Sequence, residues 1–162
     1  MTTVIITQPG NPKGIRPLQD LAKPGVRLGL GDPKVVACGR AGQEALAKAK
    51  AWEGAKKNLV MSAQNVSELS NAVRLGTLDA AIVWNATAAM YTTHDLTAVT
   101  VPGKLAVTSS IPVGVVAASR QGKSAQQFVD FLAGKEGRRI FLKHGFGVPA
   151  ASKSKTRAGG KA

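Results

Sequence analysis

Short apolar runs and helix-spaced apolar positions alternate along most of the chain. The runs predict strands over residues 4–6, 26–30, 59–61, 78–84, 96–101 and 112–117. The helix-spaced positions predict helices over residues 17–21, 39–52, 65–76, 86–90, 125–133 and 136–143, with Asn65 as the N-cap of the third. This order predicts an α/β fold built on a doubly wound, mostly parallel sheet with helices on both faces.

The two ends of the chain have unusual compositions. Residues 1–150 carry the predicted elements and form one lobe, whereas residues 151–162 contain four basic residues and no acid, which predicts a disordered basic tail. All four phenylalanines lie in or just beyond the last two predicted helices. Either these rings complete the domain's own core, or they pack against something outside it.

The net charge of the chain favours an anionic binding partner. The 162 residues include 22 lysines and arginines against 9 acids, a formal net charge of +13. Such a balance favours anions of any size. No helix-turn-helix, zinc-finger or RNA-binding signature is present, and aromatic residues are few, so we expect no specific nucleic-acid binding. Weak, non-specific binding to polyanions stays open.

Candidate catalytic and metal-binding residues are sparse. Cys38 is the only cysteine, and the two histidines, His94 in a predicted surface loop and His144, are far apart in sequence. We therefore expect no structural metal and no resident cofactor. No nucleophile, base and orienting group can be assembled, so we expect no enzyme. The N-terminus has no basic region and a three-residue apolar run, which predicts neither a signal peptide nor a membrane span.

One stretch has the chemistry of a small-anion site. Residues 31–40 form a predicted strand end, a turn and the first turn of a helix, where unpaired backbone N–H groups favour an oxyanion. Gly39 has no Cβ and would let an anion approach the backbone. A second helix starts at Val66, and another strand ends at Trp84. In a doubly wound sheet these three places meet at one edge.

Several segments resemble the second lobe of the periplasmic molybdate- and tungstate-binding proteins of ABC importers. The similarity covers about residues 4–148. It is carried by residues 10–15 (GNPKGI), 18–25 (LQDLAKPG), 28–33 (LGLGDP), 43–46 (QEAL), 65–66 (NV), 79–84 (DAAIVW), 111–113 (IPV), 128–132 (FVDFL), 136–137 (EG) and 141–147 (FLKHGFG).

The resemblance implies one lobe of a type II periplasmic-binding-protein-like fold. In that family two lobes are joined by crossing hinge strands, which would be residues 4–7 and 112–117 here. The first lobe has no counterpart in this chain. The C-terminal helices would then expose a face to that lobe, or use it for self-association, through Phe128, Phe131 and Phe141.

The resemblance also implies a ligand set and a function. The contacts fall on the main-chain amides of Cys38 and Val66 and on Trp84, which stands where the family has a tyrosine hydroxyl; the proline usual before the small residue is absent here. We expect Cys38, Gly39, Val66 and Trp84 to bind a molybdate- or tungstate-type oxyanion, with the anion itself as the only bound group.

The implied role is that of the solute-binding component of an ABC transporter, in partial form. A complete receptor would deliver the anion to a membrane permease outside the cytoplasm, whereas the chain as given, without a signal peptide, would stay in the cytoplasm. Two alternatives remain open, namely a cytoplasmic oxyanion-sensing effector domain and a basic protein that interacts with polyanions.

Overall fold

Strands and helices alternate through residues 1–91 and 95–148, which are the residues that this computed structural model describes; the predicted basic tail and His94 lie outside them. The strands are β1 Thr3–Thr7, β2 Leu28–Gly31, β3 Leu59–Ala63, β4 Ala80–Trp84 and β5 Thr97–Thr100. The helices are a 3-10 helix at Leu18–Ala22, α1 Ala37–Lys48, α2 Trp52–Lys57, α3 Val66–Arg74, α4 Asn85–Tyr91, α5 Gly122–Ala133 and α6 Lys135–Lys143.

The strands form a single mixed sheet in the order β3-β2-β4-β1-β5. β2 pairs in parallel with β3 and with β4, whereas β1 lies antiparallel between β4 and β5. Four strands therefore point in one direction and β1 runs against them. The predicted α/β class with a mostly parallel sheet is confirmed.

Both faces of the sheet are buried. Side chains alternate along β4, so Ile82 packs with the 3-10 helix, α2 and the later turns of α1, while Val83 packs with α3 and α4. Both side chains are fully buried. This double coverage explains why the strands read as nearly continuous apolar runs in the sequence.

The predicted helix over residues 39–52 is wrong in its extent. α1 ends at Lys48, and Lys50 adopts the left-handed conformation, with φ of 54°. The Lys50 N–H donates to the Ala47 carbonyl and the Ala51 N–H to the Leu46 carbonyl, each at 2.9 Å, which is a Schellman ending. Glycine is the usual residue at such a helix end. Because a lysine occupies this position, the sequence pattern did not predict that the helix ends here.

The predicted strand over residues 112–117 is also wrong. The chain pairs with the N-terminal segment only as far as the Thr2–Thr108 bridge and the Ser109 N–H, which donates to the Met1 carbonyl at 2.8 Å. Beyond it, Val113 and Val116 are exposed and no neighbouring strand lies beside them among the described residues. Valine favours strands, but a strand needs a ladder partner.

The C-terminal phenylalanines do not complete the core. Helix α5 has no buried residue, and Phe128 and Phe131 are 60% and 46% exposed. Phe141 lies edge-on to Phe146, with ring centroids 5.6 Å apart. Of the two interpretations offered by the sequence, packing within the domain's own core is wrong.

Asp79 and Arg27 join the amino-terminal ends of β4 and β2. The Asp79 carboxylate is buried and accepts hydrogen bonds from the Arg27 backbone N–H and guanidinium, both at 2.8 Å. Burial disfavours the charged carboxylate, but these hydrogen bonds outweigh it, so the pKa of Asp79 lies below its ordinary value. The pair holds the sheet at the edge opposite the carboxyl ends of these two strands.

Asp79→Asn is expected to lower the free energy of unfolding by about 2 kcal/mol near neutral pH, because hydrogen bonds to a buried charge are lost. Since the folded-state pKa is depressed, this contribution is full above the unfolded pKa and disappears as the pH falls through the folded one. Urea unfolding of both proteins from neutral to acid pH should show the gap closing. Glu44→Gln, which removes the exposed pair with Lys48, is the control and should change stability by less than about 0.5 kcal/mol. A gap that persists in acid would contradict the assignment.

Candidate functional site

Three neighbouring strands end at the same edge of the sheet. β3, β2 and β4 are adjacent and parallel, and their last residues are Ala63, Gly31 and Trp84. The Asp32 N–H donates to the Ala63 carbonyl at 2.8 Å, which ties the first two ends together. The predicted meeting of the two helix starts and the third strand end is confirmed.

The loop between β2 and α1 is shaped by Asp32. Its side chain accepts from the Lys34 N–H at 2.8 Å, and its carbonyl accepts from the Val36 N–H at 2.7 Å. This turn delivers Val36 in an extended conformation, so that α1 starts at Ala37. The amides of Ala37 and Cys38 form no hydrogen bond with any described residue. Ala37 is exposed, whereas Cys38 lies one residue deeper and is fully buried.

Gly39 has a packing role. Its N–H donates to the Val36 carbonyl at 2.9 Å and is thus already used. A Cβ at this position would overlap the Gly31 carbonyl oxygen, so glycine is what lets α1 start directly against the end of β2. Close packing of α1 on β2 therefore explains why this position is a glycine, without the need to make room for an anion.

The Cys38 thiol is held in the core. Its Sγ lies 3.6 Å from the Ile82 carbonyl oxygen, and burial raises the pKa of the thiol from 9.0 to about 12. Desolvation therefore outweighs any stabilisation of a thiolate by the start of α1.

We expect the Cys38 thiol to react with Ellman's reagent at least about a thousandfold more slowly in the native protein than in the urea-unfolded chain. The raised pKa lowers the thiolate fraction by about that factor, and complete burial slows the reaction further because the reagent cannot reach the thiol. Absorbance kinetics at mildly alkaline pH measure both states. Fast labelling under native conditions would show that Cys38 is accessible and ionised.

The start of α3 carries the second set of amides. The Asn65 side chain accepts from the Glu68 N–H at 3.0 Å, and the Glu68 carboxylate accepts from the Gln64 N–H at 3.2 Å. The first of these hydrogen bonds confirms Asn65 as the N-cap, and the second adds a contact from Glu68 to the residue before the cap. The amides of Val66 and Ser67 form no hydrogen bond with the described residues, so they are available to a ligand.

Trp84 ends β4, the strand beside β2, and carries a side-chain N–H donor at the same edge of the sheet. It is 7% exposed and belongs to the same buried cluster as Cys38, and Val66 packs against that cluster. Its indole N–H forms no hydrogen bond with the described residues, and none of their buried side-chain nitrogens or oxygens lacks a partner.

Cys38 and Trp84 thus belong to one cluster against which Val66 packs, and the donors among them that lack a partner in the described residues are uncharged. Within residues 1–91 and 95–148, no group of three or more His, Cys, Asp or Glu side chains could hold a metal ion. Sequence reasoning missed the exposed Ala37 amide, which the helix start implied. It also missed Asn85, whose polar contacts depend on the tertiary fold.

Comparison with known proteins identifies the family. Residues 1–147 match the family described as "Bacterial extracellular solute-binding protein". The chain belongs to this family. Members of the solute-binding family are named for binding and not for catalysis, and for a location outside the cytoplasm. None of the described helices is long and apolar enough to cross a membrane.

Relatives within the solute-binding family agree with the predicted resemblance. The molybdate-binding protein ModA of Mycobacterium tuberculosis is 32% identical over 148 residues, which cover 91% of this chain and 54% of ModA. This chain therefore spans about half the length of the curated relatives it matches.

Solved structures show the same fold. The periplasmic molybdate-binding protein of Azotobacter vinelandii superposes with a TM-score of 0.69 at 17% identity, covering 92% of this chain and 66% of that one. Peb3 from Campylobacter jejuni superposes with a TM-score of 0.70 at 25% identity, covering 89% and 63%. The predicted periplasmic-binding-protein-like fold is confirmed.

Proposed function

We propose that this chain binds a small tetrahedral oxyanion of the molybdate or tungstate type, as part of the solute-binding component of an ABC transporter. The observation that carries the proposal is the meeting of two free helix starts and an indole N–H at one sheet edge. Helix starts bind anions through backbone N–H groups and the helix dipole. The similarity to ModA supports the choice of anion.

The donors in this proposal are the amides of Cys38 and Val66 and the indole of Trp84. Gly39 contributes by holding α1 against β2, since its own N–H is bound to Val36. The Ala37 amide, next to Cys38, adds an exposed donor that the sequence pattern did not single out. Binding involves no chemical step and no group other than the anion.

The lysines and arginines serve a different purpose in this mechanism. Arg40 lies beside the site, and its guanidinium donates to the Pro33 carbonyl at 3.1 Å. Asp32 and Glu68 occupy the same two helix starts. Positive and negative side chains therefore offset each other close to the site. The net charge of +13 attracts anions over a longer range, and the uncharged donors determine which anion binds.

Isothermal titration calorimetry with molybdate, tungstate, sulfate and phosphate tests the proposal. We expect heat from molybdate or tungstate, weaker than for a complete two-lobed receptor because only half of the donors are present. Trp84→Phe keeps the ring and removes the N–H, so affinity should fall about tenfold. Binding of none of the four anions, even with a first lobe supplied in trans, would overturn the proposal.

We also propose that the phenylalanine face, formed by Phe128, Phe131 and Phe141, contacts the other lobe of a two-lobed receptor. Phe128 and Phe131 are exposed on α5, and a groove of about 860 Å³ lies next to Phe141, between the end of the C-terminal helices and the N-terminal segment. Its wall includes Leu132, Phe141 and Phe146. Exposed apolar surface that continues over several side chains is typical of a surface that contacts a partner. In a complete receptor, the two lobes would close on the anion, and this closed form would bind a membrane permease outside the cytoplasm.

Light scattering of the chain over a range of concentrations tests this assignment. We expect a monomer that forms a one-to-one complex with a first lobe, and Phe128→Ser with Phe131→Ser should abolish that complex. A stable dimer lost in the same double variant would instead assign the phenylalanine face to self-association.

A further inference from the structure

Asn85 connects three segments that are distant in the sequence. It follows Trp84 directly, at the end of β4. Its backbone N–H donates to the Thr2 carbonyl at 2.8 Å, and its Oδ1 accepts from the Thr2 N–H at 2.8 Å. Its Nδ2 donates to the Gly145 carbonyl at 2.6 Å. One side chain therefore uses both its acceptor and its donor on backbone groups 60 or more positions away.

The Gly145 end of this contact has a fixed geometry. α6 finishes in a Schellman motif, with the Phe146 N–H donating to the Phe141 carbonyl at 3.0 Å and the Gly145 N–H to the Leu142 carbonyl at 3.1 Å. Gly145 has a φ of 78°, and a Cβ there would approach the Ala89 Cβ to 2.7 Å. The end of α6 thus packs closely against α4, and the Gly145 carbonyl accepts the hydrogen bond from Asn85.

This contact is isolated. Helices α5 and α6 pack chiefly on each other and only weakly on the rest of the chain. Within the described residues, the Asn85–Gly145 hydrogen bond is the only one between residues 110–148 and residues 1–109. The remaining attachments are the packing of Gly145 against α4, the apolar contact around the groove and the covalent link through residues 110–121.

We propose that Asn85 is a positioning residue that ties the end of α6 to the strand carrying Trp84, so that movement of Trp84 on ligand binding is passed to the α5–α6 pair. The first half of this proposal stands on the geometry alone. The second half rests on the proposed function, because it needs an anion that draws on Trp84.

Hydrogen exchange of the full chain, read by mass spectrometry, tests the positioning role. Asn85→Asp keeps an acceptor for the Thr2 N–H but removes the donor to Gly145. We expect amides of residues 135–147 to exchange about tenfold faster, with β2 and β4 unchanged. Met90→Ala, on an exposed side chain of the same helix, is the matched control and should change neither region. Unchanged exchange in residues 135–147 of Asn85→Asp would overturn the positioning role.

Tungstate added to the same proteins tests the coupling. In the unsubstituted chain it should slow exchange both near Val66 and Trp84 and in residues 135–147. In Asn85→Asp only the first region should be slowed. Protection confined to the first region in the unsubstituted chain would overturn the coupling. Absence of any tungstate heat in calorimetry would instead count against the proposed function and leave the positioning result standing.

Discussion

Gly39→Ala is expected to lower the free energy of unfolding by about 3 kcal/mol or more, because the added methyl group has no room between α1 and β2. The added Cβ would overlap the Gly31 carbonyl oxygen and approach the backbone carbon of Asp32 to 3.0 Å. Both are main-chain atoms, one in the last residue of β2 and one in the residue that follows it, so neither can move without shifting the end of β2. Relief therefore requires α1 to move away from the sheet.

Urea unfolding followed by circular dichroism measures this effect. Gly103→Ala is the matched control, because a Cβ added at Gly103 would meet no heavy atom within 4 Å beyond its chain neighbours and the residue has no positive φ. Its stability should therefore change by less than about 0.5 kcal/mol. Should Gly39→Ala unfold like the control, α1 could not lie directly against the end of β2. The measurement also distinguishes a packing role of Gly39 from a ligand-binding role. A glycine that only faced the ligand would tolerate alanine without loss of stability.

Local sequence patterns were enough to place most elements of the central sheet. The apolar run of β4 and the capping residue Asn65 are local features, and both occur where the pattern puts them. The end of α1 was missed because Lys50 adopts a conformation that the sequence normally assigns to glycine. The apolar run at residues 112–117 misled for a different reason, since its strand propensity needs a neighbour that the described residues do not supply.

The candidate site was less accessible to sequence reasoning. That the strand ends meet followed from the α/β pattern, and Val66 followed from its N-cap. The depth of Cys38 depends on how closely α1 approaches β2, which is a tertiary distance, and the Gly39 amide is occupied because the first turn of α1 bonds it to the Val36 carbonyl. Asn85 has no local signature, because both of its partners come from distant segments. Which amides remain free is therefore a property of the packed structure.

Val66→Pro is expected to weaken oxyanion binding by about ten- to a hundredfold, because it removes the N–H that donates to the anion and leaves the other hydrogen bonds of the helix start in place. Proline suits this position since Val66 is the first residue of α3 and its N–H has no partner among the described residues. Asn65 is already extended, with φ of −150° and ψ of 162°, as a residue before proline must be.

Val66→Ala is the matched control for this variant, because it trims the same side chain from the buried cluster but keeps the amide. Calorimetry with tungstate should place Val66→Ala near the unsubstituted chain and Val66→Pro well below it, while both unfold at similar urea concentrations. If the two variants bind alike, the start of α3 donates no hydrogen bond to the anion. The ligand would then be held by α1 and Trp84 alone, and the second helix start would serve only to cap α3.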